Sequence, residues 1–328
     1  MSRRNALQID RQAKPNRCKL KVTVALTAIL LLLAAPVLAG GLPMVDAHSQ
    51  IDGDTDMAVV IKTMDQAGIG RVLLSPRFRR KPADILALAR AHPDRVTATV
   101  RTKTKLYFKG HKGTPFFRRF LSREIAAGDY GAMAEVIMWH AQKGNKAGQF
   151  IIAPDDPRVR VYLDAALENQ WPFIPHIEFA AAGADRAPFM AMMAAMLRRY
   201  PDHPMALIHM GQIDDPRDVR QMLGDHPNLY FLTSHCNPIS WSQSKQPWTN
   251  LFDGARLKPA WIKLMIDHPD RFILAFDNVF PEHWGGYYIS QARLWRRALA
   301  DLPDPVAHAI AHENAERLWR LPATPLVR

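Results

Sequence analysis

The sequence predicts an α/β protein, a (β/α)8 TIM barrel, on three observations. Eight short apolar runs alternate with amphipathic stretches, the rhythm of parallel βα units. Proline-bearing stops recur where a helix gives way to the next run. Four runs end in side chains able to bind a metal or move a proton: Val45-Asp46-Ala47-His48-Ser49-Gln50, Phe173-Ile174-Pro175-His176-Ile177-Glu178, Ala206-Leu207-Ile208-His209-Met210-Gly211 and Ile273-Leu274-Ala275-Phe276-Asp277. In a parallel barrel the C-terminal ends of all strands open on one face, so these residues can meet there around a single ion.

Strands are expected, in order, at 44–52, 71–76, 96–102, 133–139, 173–179, 205–210, 229–234 and 272–277. Amphipathic helices are expected between them at 56–67, 83–91, 158–170, 188–200, 217–223 and 259–267. Met190, Met192, Met193 and Met196 recur at helical spacing and read as core packing. The stops include His92-Pro93, His226-Pro227 and His268-Pro269, each between a helix and the next strand. These histidines fall on the N-terminal side of the strands, away from the chemistry, at helix ends where positive charge is welcome. The least regular stretch, 103–129, sets Lys103, Lys105, Lys109, His111, Lys112, Arg118 and Arg119 around Tyr107, Phe108, Phe116 and Phe117. It reads as a solvated loop and surface helix, with a basic aromatic lid for an anionic or aromatic substrate as the alternative.

Residues 1–39 read as a signal peptide or an uncleaved N-terminal membrane anchor. A basic stretch precedes an apolar run that ends Val37-Leu38-Ala39. Residues 40–328 are then a single barrel domain, exported to the periplasm or beyond, touching membrane only through an uncleaved leader. The leader holds seven Lys or Arg and one acid, so its removal halves the net charge of +12. What remains lacks the basic runs of a nucleic-acid binder. Only Cys236 survives cleavage, so no intrachain disulfide is expected, and a buried structural role suits it better than that of a nucleophile. No phosphate loop or dinucleotide fingerprint is present. The expected partner is a small-molecule substrate, and a homo-oligomer stays open.

Residues i and i+2 of a strand share a side. His48 and Gln50 therefore face one way, as do His176 and Glu178, with His209 and Asp277 joining them at the mouth. Zinc prefers nitrogen and carboxylate ligands, and a catalytic site keeps a position open for water. Asp277 is hard to explain otherwise, since a carboxylate at the end of an apolar run is costly to bury unpaired. His140, His235, Asn237, His283 and Trp284 stand at strand ends where a substrate would be touched.

Asp46-Ala47-His48, His176, His209-Met210-Gly211, Asp277 and Asn314-Ala315-Glu316-Arg317-Leu318-Trp319 in the closing helix together resemble the amidohydrolase superfamily. The likeness is to the amidohydrolase-related branch of lactone hydrolases and metal-dependent decarboxylases, and it spans the chain beyond the leader. It implies a metal-dependent hydrolase-like barrel with a divalent ion, zinc by ligand type, on His48, His176 and Asp277. His209 or Asp277 would activate water or move protons. The family's first strand carries His-x-His, and here Gln50 replaces the second histidine. Glu135 or Glu178 would compensate, or the ion is weakly held or lost. The reading is an exported metal-dependent hydrolase attacking a small-molecule carbonyl, lactone or amide. Its alternatives are a non-oxidative decarboxylase of an aromatic acid and a non-catalytic barrel without metal.

Overall fold

Eight strands are laid down in sequence order: β1 Val45–Ile51, β2 Arg71–Pro76, β3 Val96–Val100, β4 in two pieces Ala132–Met133 and Val136–His140, β5 Pro175–Ile177, β6 Met205–Leu207, β7 Leu229–Leu232 and β8 Phe272–Ile273. The computed structural model describes residues 41–110, 113–142, 148–182, 186–242 and 246–327. The leader expected at 1–39, and His111 and Lys112 of the basic stretch, lie outside these residues. The described residues all belong to one compact unit. None of their helices is long and apolar enough to cross a membrane.

Every strand pairs in parallel with its sequence neighbour. β1, β2, β3 and the first piece of β4 form one sheet, the second piece of β4 pairs with β5, and β6, β7 and β8 form a third. A bridge between Phe173 and Met205 joins β5 to β6. The ring closes where Ala47 N donates to Leu274 O at 3.0 Å and Asp277 N to His48 O at 2.8 Å. The eight-stranded barrel expected from the sequence is therefore present.

The core has two layers. Val45, Ala47, Leu73, Ala132, Ile174, Ala206, Ile208, Leu232, Ile273 and Ala275 form an inner cluster, closed by Ala315, Leu318 and Trp319 of the last helix, Asn314–Trp319. A larger layer packs between the sheet and the surrounding helices. Four of those helices, Pro82–Ala91, Pro157–Asn169, Pro216–Asp225 and Pro259–Asp267, begin on proline, whose missing N–H costs nothing in a first turn. Three end at His92, His226 and His268. Each leaves the helical region because a proline follows, His226 to extended backbone, and each amide closes the last turn onto Leu88, Met222 or Leu264. The charge expected at these ends is disfavoured at two of them, where burial lowers the imidazole pKa of His226 and His268.

Several strands stop short of their expected ends. The run 133–139 breaks at Ala134-Glu135. The expected strand 205–210 ends at Leu207, where His209, Met210, Gly211 and Gln212 take left-handed backbone with φ of 53°, 52°, 63° and 55°. The expected strand 272–277 ends at Ile273, because the next three amides bond outside the sheet, Leu274 N to Ile310 O and the following two to side chains. Ala275 N donates to Thr233 Oγ1 and Phe276 N to Asp46 Oδ1. Two features carried no sequence signal: the strand Phe150–Ile151, antiparallel to β4, and the small hairpin of Phe252–Asp253 with Arg256–Leu257.

Candidate metal centre

The irregularities in the strands build the mouth. Ala47 points into the barrel, and regular alternation would turn His48 and Gln50 outward. A register shift between Asp46 and Ser49 inserts one residue into β1 and turns both side chains inward. The break in β4 does the same for Glu135, which follows inward-facing Ala132 by three positions. His209, His235 and Asp277 are each delivered by left-handed backbone, with φ of 53°, 61° and 55°. Such conformations are strained for residues with a Cβ and persist where the surroundings impose them, often at functional sites.

Three overlapping triples result: His48, Glu135 and Asp277; Glu135, His176 and His209; and His209, His235 and Asp277. Within each triple the ligand atoms lie within 4.8 Å of one another. His48 Nε2 is 3.5 Å from Asp277 Oδ1 and 3.8 Å from Glu135 Oε1. His209 Nε2 is 3.7 Å and His235 Nε2 3.8 Å from Asp277 Oδ2. His48 Nε2 and His209 Nε2 are buried and hydrogen-bond to nothing among the described residues. Two orphaned imidazole nitrogens facing buried carboxylates fit a divalent cation, which takes neutral imidazole and ionised carboxylate as ligands.

Electrostatics prepare these states at Glu135, Asp277 and His209, but not at His48, whose pKa is raised. Burial pushes the Glu135 carboxyl up, but Lys103, His176 and His48 outweigh it and hold its pKa well below the usual carboxylate range. Burial likewise raises Asp277, and the His48 imidazole 3.5 Å away, with His235, reverses the shift to leave it well below normal. His209 goes the other way: burial, then His235 and His176, hold it well below the usual imidazole value, so it stays neutral. Ser234 Oγ meets its Nδ1 at 2.8 Å and fixes the ring.

The remaining expected residues take distinct places. Gln50 Nε2 donates to Glu135 Oε1 at 3.1 Å and Asp277 Oδ1 at 2.8 Å, while its Oε1 accepts from Lys103 Nζ at 2.9 Å. His176 Nδ1 pairs with Glu135, and its Nε2 lies 3.2 Å from Glu178 Oε1. Glu178 is tied through its other oxygen to Ala141 N at 2.6 Å, so it sits behind His176 and orients it. His140 lies against His176, with ring centres 5.5 Å apart. His283 accepts from Val279 N and Trp284 Nε1 donates to Gln50 O, so both brace the loop after β8. Cys236 is buried with its thiol pKa pushed well up, as a structural role requires.

Lys103 corrects the reading of its stretch as solvated surface: its ammonium pairs with Glu135 inside the mouth. The available signal was its place directly after the third apolar run. Trp248 was missed altogether. It packs 5.1 Å from the His209 ring and 4.7 Å from His235, and it comes from an irregular segment without periodicity.

The amidohydrolase family matches residues 40–321. The chain belongs to that family. Among solved structures, this amidohydrolase is similar to an uncharacterised TIM-barrel protein from Bordetella bronchiseptica, with a TM-score of 0.55 and 17% identity over 81% of this chain and 83% of the other. It is also similar to 2,6-dihydroxybenzoate decarboxylase from Rhizobium, with a TM-score of 0.52 and 15% identity over 85% and 99%. A third is 5-carboxyvanillate decarboxylase from Novosphingobium aromaticivorans, a structure with bound manganese, with a TM-score of 0.51 and 13% identity over 85% and 97%. At these identities the likeness is one of fold. No curated protein matches the sequence. In this amidohydrolase, the buried histidines and carboxylates at the mouth form groups that could hold a divalent ion.

Proposed function

We propose that the protein is a divalent-metal-dependent decarboxylase of a small aromatic carboxylic acid. The observation that carries this reading is Lys103, an ammonium inside the mouth in contact with Glu135 and Gln50, beside an aromatic wall of His209, His235 and Trp248. A cation with a flat aromatic surface recognises an aromatic anion. The reading is supported by the fold likeness to two proteins named as decarboxylases of such acids.

His48, Glu135 and Asp277 would hold the ion, with His176 next to Glu135. When bound, the ion supplies positive charge that binds and polarises substrate oxygens. Lys103 leaves Glu135 and Gln50 to pair with the substrate carboxylate, and the His209, His235 and Trp248 wall holds the ring. The bond between ring carbon and carboxylate breaks, CO2 leaves, and the electron pair stays on the carbon. That carbon then takes a proton from solvent water, leaving hydroxide, with His209 placed to relay it. Manganese and zinc both suit this donor set.

Hydrolysis is the second reading. It is favoured by Asp277 Oδ2, which lies near two imidazoles and could take a proton from water. One experiment separates the two readings. Protein loaded with Mn2+ or Zn2+ is offered hydroxybenzoates and, in parallel, lactones, and CO2 and acid release are followed. The expected result is CO2 from a hydroxybenzoate, with Lys103→Met raising KM about tenfold or more and changing kcat less. Lactone opening without CO2 would establish the hydrolase instead. Failure to bind either ion would leave a non-catalytic barrel.

A further inference from the structure

We propose a second divalent-cation site in the closing helical segment, held by His308, His312 and Glu313 and separate from the mouth. Helix Asp304–His308 runs into one π turn, Ala309–Glu313, and then into Asn314–Trp319. In an unbroken α-helix His308 and His312 share a face, while a residue five positions on lies about 140° away. The i→i+5 turn widens the helix by a residue and swings Glu313 back beneath His308. Three ligand atoms, one from each residue, consequently lie within 4.8 Å of one another.

The spacing of the two rings suits a metal. His308 Nδ1 and His312 Nε2 are 3.2 Å apart. Two nitrogens on one zinc, each about 2.0–2.1 Å from it, stand about 3.3 Å apart at a tetrahedral angle. The other nitrogen of His312, Nδ1, meets Glu316 Oε1 at 3.1 Å, and Glu316 is itself anchored by Thr324 N at 2.7 Å. A carboxylate behind an imidazole fixes its tautomer and orientation and raises its basicity as a ligand. Both histidines are partly buried and Glu313 is exposed, so water can complete the coordination. Two imidazoles and one carboxylate favour zinc, copper or nickel over magnesium or calcium.

The segment is tied to the barrel. Ile310 O accepts from Leu274 N at 3.1 Å, and Asn314 Nδ2 donates to Pro269 O and Phe272 O around β8. An ion at this turn pins the helix that plugs the inner cluster and stabilises the folded state by mass action.

Equilibrium dialysis of the full chain against Zn2+ tests the proposal, whatever the mouth binds. His308→Asn with His312→Asn is expected to bind one equivalent fewer than wild type with an unchanged circular dichroism spectrum, and to lose part of the zinc-induced rise in Tm. Glu313→Gln, an exposed change safe for folding, is expected to weaken that equivalent about tenfold. With Cu2+, protein in which His48, His176, His209 and His235 of the mouth are all replaced by Asn is expected to show nitrogen coupling in its EPR spectrum. Equal zinc counts in the wild type and the folded double variant would overturn the site. So would unchanged affinity in Glu313→Gln together with an EPR spectrum free of nitrogen coupling.

Discussion

His209 Nε2 stands 3.7 Å from Asp277 Oδ2, and both residues reach that meeting from left-handed backbone. The strands beneath them end early. β6 gives way to a left-handed turn, and the Ala275 and Phe276 amides just after β8 turn to Thr233 and Asp46. Asp46 accepts from the amides of Phe276 and His48 and from the Tyr288 hydroxyl, at 3.1, 3.2 and 2.9 Å. One buried carboxylate thus holds backbone next to both His48 and Asp277. The mouth is precise because irregular backbone is pinned from below.

The left-handed turn depends on Gly211. A Cβ there would stand 2.6 Å from Leu207 Cδ2 and 3.1 Å from Phe179 Cδ2, on backbone with φ of 63°. Gly211→Ala is expected to destabilise the protein by about 2–4 kcal/mol, combining left-handed strain with overpacking, and to shift His209. Gly254 has a similar φ of 58° with nothing within 4 Å of its missing Cβ. Gly254→Ala is therefore expected to cost only about 1 kcal/mol. Urea unfolding of the two variants checks this, and equal losses would show that packing at Gly211 contributes nothing.

The same irregularities explain what was legible in sequence. Periodicity and His-Pro stops located all eight strands, because alternation and helix termination are local. Asp277 and His176 could be aimed at the mouth from spacing alone. The pairing of Glu135 with His176 could not, because a break within β4 decides which way Glu135 points. Lys103 and Trp248 come from irregular segments, where tertiary packing and not sequence period sets direction. His235 stood at an expected strand end, but its approach to Asp277 rests on a left-handed φ of 61° that its residue type does not announce.

Ion binding should release protons. Burial pulls the His48 imidazolium down, yet Asp277 and Glu135 outweigh burial and raise its pKa to about 9. At pH 7 the ring therefore holds a proton that a coordinating ion must displace. Affinity should rise with pH up to about 9, roughly tenfold per unit for each proton released. Calorimetry at pH 7 in buffers of different ionisation enthalpy should report at least about one proton per ion, and about one fewer in His48→Asn. Heats that do not depend on the buffer would rule out His48 as a protonated ligand.

The leader gives a separate test. The basic stretch and the apolar run ending Val37-Leu38-Ala39 lead us to expect mature protein beginning near Gly40 and recovered outside the cytoplasm. N-terminal sequencing of protein from fractionated cells reads the outcome directly. Intact residues 1–39 in the membrane fraction would identify an anchor.

Gln50 decides how the centre compares with a histidine-rich one. Its amide nitrogen bridges Glu135 and Asp277 and its oxygen faces Lys103, so it joins two carboxylates that would otherwise repel. Glu135 touches His48, His176, Gln50 and Lys103, whereas Glu178 stands behind His176. Glu135→Gln should therefore remove the ion about as completely as His176→Ala. Glu178→Gln should weaken binding by about 10–100-fold, the usual effect of losing an orienting partner. Gln50→His should tighten zinc binding, because an imidazole replaces an amide beside both carboxylates. It should leave the unfolding midpoint nearly unchanged, since Gln50 lies above the packed inner cluster. Zinc titrations of the four variants give the order. Should Glu178→Gln prove as damaging as Glu135→Gln, Glu178 would be a ligand and the ion would sit on the far side of His176.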